Sequence, residues 1–280
     1  MNGFEQLLMD FKGMSQSKAQ QGALFERLMK KYFLTCPLYT EMFESVWTWV
    51  EFPYNGGKHD TGIDLVAKKK DFEEYYAIQC KFYDENNQVS KPDVDTFLSA
   101  SGKPFFIDGR PVRYSERIIV STTDKWSSTA EDTIEGQLPP VHRIRLKDLK
   151  ESGIDWDSFS LSNVEDMKRS ERKELRPHQK DAVDAILSGF QSADRGKMIM
   201  ACGTGKTFTA LKIAEAITNG AGNVLFLVPS ISLLNQTLLE CLPSANMITA
   251  YSQFAPTPRP ARHRRKAAVF PILSFLPRRT

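Results

Sequence analysis

The candidate chemistry of this sequence begins with three polar residues on two neighbouring segments. Asp64 stands in GIDLVA, and Gln79 and Lys81 stand in AIQCKFY, which begins thirteen residues after Asp64. Because side chains alternate between the faces of a strand, Gln79 and Lys81 point to one face, and the apolar residues beside them point to the other. A carboxylate and an amide oxygen are hard ligands that suit Mg²⁺. A neighbouring lysine would position a water or stabilise charge developing on a phosphoryl group.

A short hairpin would bring these three residues together. GIDLVAK predicts one strand and YYAIQCKF the next, with the polar turn KKKDFEE between them. In an antiparallel pair, Asp64 would lie beside the face that carries Gln79 and Lys81. Glu26 lies upstream in GALFERLMKKYF, a helix with one apolar stripe. It would either complete the site or be a solvated helix residue.

The surrounding pattern predicts further helices and strands that position this hairpin. Apolar spacing indicates helices over 4–13 and 18–33, and SVWTWVEF at 45–52 alternates as a strand does. Downstream we expect a helix at KPDVDTFLSAS, a buried strand at ERIIVSTT, a helix at SSTAEDTIEGQ and a short strand at VHRIRLKDL. Ser127 or Ser128 would cap the second of these helices.

These motifs carry a family resemblance. GALFERLM, DTGIDLVA and AIQCKFY resemble the Mrr-type restriction nucleases of the PD-(D/E)xK superfamily, in the branch with Gln in place of the second acid. The resemblance covers residues 15–155 and extends through RIIVSTTDKWSSTAEDTI. It implies an α/β fold with a restriction-endonuclease-like mixed sheet and flanking helices. It also implies Mg²⁺-dependent hydrolysis of phosphodiester bonds in double-stranded DNA.

The same resemblance implies a role for each candidate residue. Asp64 would be the metal-binding acid, Gln79 the second metal-site residue and Lys81 the catalytic lysine. Glu26 would be the acid of the N-terminal helix. Asp60 would shape the loop before the first strand or lie near the metal.

A second constellation, MACGTGKT at residues 200–207, follows an apolar segment and precedes a helical pattern. Its two glycines, Gly203 and Gly205, flank Thr204 and would let backbone N–H groups approach phosphates. Lys206 would reach the β- and γ-phosphates of ATP, and Thr207 would bind Mg²⁺. The loop resembles motif I of superfamily 2 helicases, with a methionine in place of the first glycine of the general pattern.

Two segments around this loop extend the resemblance to helicases. LRPHQKDAV resembles the adenine-sensing element of that family, which implies that Gln179 reads the adenine edge; a solvated helix residue is the alternative. VLFLVPSISLLNQ resembles motif Ia, which touches the DNA backbone. Residues 175–240 therefore predict a partial RecA-like parallel α/β lobe, with strands at GKMIMAC and NVLFLVPS and a helix at ISLLNQTLLECL.

Other helicase parts do not appear in the sequence. No DExH or DEAD stretch, arginine-finger motif or second RecA-like lobe follows the phosphate loop. Because ATP is hydrolysed between two lobes in such motors, we expect this chain to bind ATP without efficient hydrolysis or translocation.

Composition narrows the class of protein. The sequence is 41% hydrophobic and 25% charged, as is typical of globular proteins in water. Its apolar runs are too short to span a bilayer, and the start of the chain does not resemble a signal peptide. The four cysteines are widely spaced, which argues against a zinc site and favours free thiols in a reducing cytoplasm.

Charge distinguishes the last forty residues from the rest. The net charge is +3, yet residues 241–280 hold seven Arg or Lys, no Asp or Glu, and six of the fifteen prolines. A basic tail could bind nucleic acid, and the alternative is a frameshifted or disordered end. We therefore expect four segments: a nuclease domain at 1–157, a linker at 158–174, the partial lobe at 175–240 and a basic Pro-rich tail at 241–280.

The combination of motifs favours one class of enzyme. An Mrr-like nuclease followed by a superfamily 2 motor resembles the N-terminus of the type ISP restriction–modification enzymes, as does KDLKESGIDW followed by LRPHQ. Type I motor subunits and two-part nuclease–helicase defence proteins are the nearest enzyme alternatives. Two other readings stay open: a catalytically silent DNA-binding fragment, and a motor-independent nuclease for modified DNA (type IV).

Overall fold

Contacts divide the chain into two units, 1–170 and 171–280. The computed structural model describes residues 3–57, 62–84, 86–159, 167–170, 173–201, 203–219, 222–227, 237, 248–254 and 270–276. The helices of the first unit are α1 (Gly3–Met14), α2 (Lys18–Thr35), α3 (Pro37–Met42), α4 (Lys91–Ser101), α5 (Ser128–Ile134) and α6 (Leu146–Lys150). Its strands are β1 (Phe43–Thr48), β2 (Leu65–Lys69), β3 (Tyr75–Lys81), β4 (Phe105–Ile107), β5 (Arg110–Val112), β6 (Tyr114–Ser121) and β7 (Val141–Ile144).

A mixed five-stranded sheet forms the centre of the first unit. Its strand order is β1-β2-β3-β6-β7. The β1–β2 and β2–β3 pairs are antiparallel, and the β3–β6 and β6–β7 pairs are parallel. β4 and β5 form a separate hairpin whose turn has positive φ at Asp108 and Gly109. The strand that carries Gln79 and Lys81 is therefore central and has a partner on each side.

Helices pack on both faces of this sheet. On one face Phe82, which follows β3, contacts Phe11 of α1 and Phe25 of α2.

The other face of the sheet is covered by α4 and α5. Val94 and Phe97 of α4 and Ala130 of α5 belong to the apolar core that also includes Val66, Ala77 and Ile119 of the strands. Phe105 contacts Phe52, Tyr75 and Tyr114 within this core. This arrangement is the mixed sheet with flanking helices that the sequence predicts.

Most of the expected elements of the first unit are present. β2 and β3 form the expected hairpin, and Ser127 accepts a hydrogen bond from the Ala130 N–H at the start of α5. The expected strand at 45–52 is shifted, because β1 spans 43–48 and the chain then turns back through hydrogen bonds to the Thr48 carbonyl. The segment VHRIRLKDL forms β7 and then α6. The Asp148 side chain caps the start of α6 by accepting a hydrogen bond from the Arg145 N–H. The sequence did not reveal α3 or the β4–β5 hairpin.

The end of the first unit lies partly in the segment expected to be a linker. Of that segment, the structure describes residues 158, 159, 167–170 and 173–174. Met167 is buried, and Arg169 donates to the Thr35 carbonyl and to the Thr40 hydroxyl. The domain boundaries read from the sequence remain predictions.

The second unit contains α7 (Pro177–Gly189), α8 (Lys206–Thr218), β8 (Gly222–Leu225), β9 (Ile248–Phe254) and β10 (Phe270–Leu276). The helix expected after the phosphate loop is present as α8. Among the described residues of this unit the sheet is antiparallel instead of the expected parallel arrangement, since β10 lies between β8 and β9 and pairs antiparallel with both.

The strand expected at GKMIMAC is also wrong over residues 196–201, which have no strand structure; residue 202 lies outside the described residues. The described sheet of this unit offers that segment no neighbouring strand, and a strand needs a partner for its backbone donors and acceptors. Of motif Ia at 224–236 the structure describes residues 224–227, and Val224 and Leu225 belong to β8; of the helix expected at ISLLNQTLLECL it describes residue 237, and Asp60 lies outside the described residues.

None of the helices among the described residues is long and apolar enough to cross a bilayer.

Candidate active site

The β2–β3 hairpin places Asp64 beside Gln79. Leu65 pairs with Ile78 in the antiparallel register. One residue further along each strand, Asp64 therefore lies opposite Gln79. The ladder continues there, because the Asp64 N–H donates to the Ile78 carbonyl at 3.0 Å. The Asp64 carboxylate accepts a hydrogen bond from the Cys80 N–H at 2.6 Å, from the backbone between Gln79 and Lys81. The hairpin therefore fixes the carboxylate at the end of the strand pair.

Gln79 carries a buried oxygen that none of the described residues satisfies. The side chain is 3% exposed, and its Nε2 donates to the Gly62 carbonyl at 3.2 Å. Its Oε1 is buried and has no hydrogen-bond partner among the described residues. The Gly62 contact fixes this orientation, since a flipped amide would set two acceptors against each other. A buried acceptor without a donor costs about 1–3 kcal/mol, which a bound cation would offset.

Lys81 follows Gln79 on the same face of the sheet, where α4 packs. Its side chain is about a quarter exposed, and its Nζ lies 3.8 Å from Oδ1 of Asp93 in the first turn of α4. Burial acts to raise the pKa of Asp93, but hydrogen bonds from Ser90 and Tyr83 and the charge of Lys81 together lower it below its usual value. The ammonium of Lys81 thus has an ionised neighbour in the fold itself.

Glu26 approaches the site from the opposite face of the sheet. The partly buried thiol of Cys80 has a pKa raised well above its usual value, first by burial and then by the charges of Asp64 and Glu26. The charge of Lys81 acts in the opposite direction. Glu26 of α2 therefore lies close enough to Cys80 for its charge to act on that thiol, and its role in the site stays a prediction.

The chain that leaves β3 is held in place by the end of β6. Thr122 Oγ1 accepts a hydrogen bond from the Tyr83 N–H and donates to the Tyr83 carbonyl, both at 2.7 Å. Thr123 Oγ1 donates to the Asn87 carbonyl at 2.6 Å. Both threonines are fully buried. This segment connects Lys81 to α4. The threonines therefore help to fix the position of Asp93 in the first turn of α4.

The phosphate loop of the second unit connects to the start of α8. Gly203 and Gly205 have φ values of 78° and 83°, the left-handed region that favours glycine. Thr204 Oγ1 donates to the Ala201 carbonyl at 2.8 Å, and Lys206 Nζ donates to the Met200 and Ala201 carbonyls. Thr207 follows in the first turn of α8 and is half-buried. The five predicted loop residues are therefore contiguous at a helix N-terminus, where anions bind well.

Gln179 lies against this loop. Its Oε1 accepts from the Arg176 N–H at 2.9 Å, and its Nε2 donates to the Thr204 carbonyl at 2.9 Å. The side chain is 4% exposed. A Cβ added to Gly205 would come within 2.4 Å of Gln179 Nε2. Gln179 therefore joins the N-terminus of α7 to the phosphate loop.

Sequence reasoning missed Asp93, Tyr83 and Thr122 as neighbours of the site. The segment KPD was recognised as the start of a helix, but the direction in which Asp93 points depends on how the chain crosses from β3 to α4. The residues STT at 121–123 give a sequence signal, since three consecutive small hydroxyl residues after an apolar strand predict side-chain to backbone hydrogen bonds in the next loop.

Comparison with protein-family models identifies the class of each unit. Residues 34–166 match the model described as restriction endonuclease, and residues 172–262 match that described as type III restriction enzyme, res subunit. The chain therefore carries a restriction endonuclease domain, followed by a helicase-type domain of the res-subunit family. Restriction nucleases and helicase-type domains generally use metal ions and ATP, respectively.

A solved structure gives the more particular likeness. The chain is 34% identical to the ATP-dependent type ISP restriction–modification enzyme LlaBIII bound to DNA, with a TM-score of 0.63 over 85% of this chain. It spans 15% of that enzyme's chain. The MspJI restriction endonuclease in complex with a 27-mer oligonucleotide shares 17% identity over 63% of this chain and 38% of its own, with a TM-score of 0.36 that supports no inference. No curated protein sequence matches the chain.

Proposed function

We propose that the first unit is a Mg²⁺-dependent endonuclease that hydrolyses phosphodiester bonds of double-stranded DNA, as the nuclease module of a type ISP-like restriction enzyme. The observation that carries this proposal is the buried Oε1 of Gln79, which has no hydrogen-bond partner among the residues that the structure describes and lies on the strand pair that carries Asp64 and Lys81. This set supplies a carboxylate oxygen, an amide oxygen and a cation on one hairpin. The likeness to the DNA-bound LlaBIII enzyme supports DNA as the substrate.

Asp64 and Gln79 would hold the cation. The Asp64 carboxylate is oriented by the Cys80 N–H, and the Gln79 amide by the Gly62 carbonyl, so both side chains are positioned before a metal binds. Bound Mg²⁺ would supply Lewis acidity at a phosphate oxygen and lower the pKa of a coordinated water. Mg²⁺ suits such a site because it binds through few protein oxygens and keeps water and phosphate as further ligands.

Lys81 has the role of the charged donor. Its ammonium lies on the same face of β3 as Gln79 and is partly shielded from solvent, so its charge is screened less than that of an exposed lysine. It would donate a hydrogen bond to a phosphate oxygen as negative charge increases there, or orient the attacking water. Glu26 would add a further negative charge on the α2 side of the site.

The second unit would bind ATP through its phosphate loop. The N–H groups at the start of α8 would hold a phosphate, Lys206 would exchange its carbonyl partners for phosphate oxygens, and Thr207 would bind Mg²⁺. In this proposal Gln179 either reads the adenine or holds the loop, and its two backbone contacts favour the second role. A restriction nuclease meets DNA inside the cell, so we place the protein in the cytoplasm.

Plasmid cleavage by the full chain tests the nuclease proposal. We expect supercoiled DNA to be nicked or linearised in Mg²⁺ and not in EDTA, and Lys81→Ala to lower the rate by roughly 10²–10⁴-fold. Lys206→Ala is the matched control, a lysine-to-alanine change in the other unit, and should leave cleavage without ATP unchanged. Equal cleavage by wild type and Lys81→Ala would disprove the assignment of the site.

The same assay separates the alternatives. DNA binding without cleavage in any divalent cation would indicate a catalytically silent DNA-binding fragment. Cleavage of methylated plasmid alone, indifferent to ATP, would indicate a nuclease for modified DNA that acts without a motor.

A further inference from the structure

The strongest unassigned feature of the molecule is the carboxylate that faces Lys81. Asp93 Oδ1 lies 3.8 Å from Lys81 Nζ. That distance is too long for a direct hydrogen bond and short enough for charge attraction. Asp93 is about a quarter exposed and Lys81 slightly less, so solvent screens their attraction incompletely.

Asp93 is itself held rigidly at the start of α4. Its Oδ2 accepts a hydrogen bond from the Ser90 N–H at 3.0 Å and another from the Ser90 hydroxyl. The Tyr83 hydroxyl also hydrogen-bonds to this carboxylate. Thr122 in turn fixes the backbone of Tyr83 from both sides. The two oxygens of Asp93 thus have separate partners. Oδ2 accepts the hydrogen bonds from Ser90 at the start of α4, and Oδ1 faces Lys81.

This division matters because a lysine side chain is flexible. Its four-carbon stem can adopt many rotamers, so a catalytic ammonium needs a contact that limits where it goes. A direct hydrogen bond would occupy the ammonium, whereas a charge at 3.8 Å restricts it and leaves its three N–H donors able to turn toward a substrate.

We propose that Asp93 is a positioning residue for the nuclease reaction, which holds the ammonium of Lys81 on the Gln79 face of β3 through its Oδ1. This inference rests on the proposed function of the first unit and adds a residue to it. The Ser90 N–H and the Tyr83 hydroxyl hold the Asp93 carboxylate independently of the Ser90 hydroxyl. The cation site and the ammonium are therefore set by different elements, the β2–β3 hairpin and the start of α4.

Asp93→Asn in the full chain tests the proposal. An asparagine keeps an oxygen to accept the Ser90 N–H, so α4 still begins normally, but it removes the charge that faces Lys81. We expect kcat for plasmid cleavage to fall roughly tenfold with KM within twofold, because misplacing a catalytic group by about 1 Å costs up to 10²-fold in rate. Asp95→Asn is the matched control, the same change on the same helix at an exposed carboxylate paired with Lys91.

Ser90→Ala separates positioning from folding. It removes the hydroxyl contact to Asp93 and leaves the Asp93 charge, so it should lower the melting temperature at least as much as Asp93→Asn does while keeping most of the cleavage rate. Equal kcat for Asp93→Asn and Asp95→Asn would overturn the proposal. So would a loss of kcat in Ser90→Ala as large as in Asp93→Asn.

A readout without DNA distinguishes failure of this inference from failure of the nuclease proposal. Nitrogen-15 relaxation of the lysine ammonium groups measures how restricted each one is. We expect Lys81 to be more restricted than the exposed Lys103 in wild type, and to lose that difference in Asp93→Asn. If the wild type cleaves no DNA, this comparison still decides the role of Asp93. A Lys81 as mobile as Lys103 in wild type would overturn it even if Asp93→Asn fails to fold.

Discussion

Each unit contains one buried glutamine that lies near a predicted site. The two side chains have nearly the same exposure, but only one of their amide oxygens accepts a hydrogen bond from the described residues. Gln79 is 3% exposed and Gln179 is 4% exposed. Each donates its Nε2 to a backbone carbonyl of a glycine-containing loop, that of Gly62 for Gln79 and that of Thr204 for Gln179. The Oε1 of Gln179 accepts a backbone N–H, whereas that of Gln79 has no partner among the described residues.

Under the proposed function, this difference distinguishes a metal ligand, Gln79, from a structural contact, Gln179. A fold gains from satisfying a buried amide completely, as with Gln179, because each unmet group costs free energy. Leaving one oxygen unmet at the end of a central strand pair, beside a fixed carboxylate, is explained when that oxygen binds something from outside the chain. Burial alone would have given both glutamines the same role.

The largest expected effect comes from removing the unmet oxygen. Gln79→Leu should lower the Mg²⁺-dependent cleavage rate by roughly 10²–10³-fold, because the site loses one of its two protein ligands while the side-chain volume stays similar. Gln79→Glu should retain at least a tenth of the rate, since a carboxylate oxygen replaces the amide oxygen there. Plasmid cleavage at several Mg²⁺ concentrations measures both.

Stability gives the control for that comparison. Gln79→Leu should change the free energy of unfolding by less than about 1 kcal/mol, because it removes an unsatisfied oxygen together with one hydrogen bond. Gln179→Leu should destabilise the second unit by about 1–3 kcal/mol, since two backbone groups lose their partner, and should leave cleavage unchanged. A larger loss of stability in Gln79→Leu than in Gln179→Leu would contradict the comparison.

A smaller effect is expected at the glycines of the phosphate loop. Gly203 and Gly205 both have positive φ, but a Cβ at Gly205 would meet Gln179 at 2.4 Å, whereas a Cβ at Gly203 would meet nothing within 4 Å. Gly205→Ala should weaken binding of a fluorescent ATP analogue about tenfold, which corresponds to about 1.4 kcal/mol, and Gly203→Ala less. Adding Gln179→Ala to Gly205→Ala should restore part of the affinity. Equal weakening by both glycine variants would show that Gln179 does not constrain the loop.

The sequence was sufficient for the parts of the site that depend on local periodicity. Alternation along one strand predicts that Gln79 and Lys81 share a face, and the short turn before them predicts the hairpin with Asp64. The role of Asp93 was not readable, because it depends on the crossing from β3 to α4 and on threonines forty residues away from Tyr83. In the second unit, the MACGTGKT motif predicted the start of α8, but not the absence of a strand at 196–201, which depends on which strands pair with it.

Binding of Mn²⁺ to the full chain without nucleotide or DNA, followed by electron paramagnetic resonance, tests the central claim that Gln79 and Asp64 hold a divalent cation. We predict that Mn²⁺ binds to wild type, that Mg²⁺ displaces it, and that Gln79→Leu weakens binding at least tenfold while Gln179→Leu leaves it unchanged. Identical Mn²⁺ binding by wild type and Gln79→Leu would contradict the account.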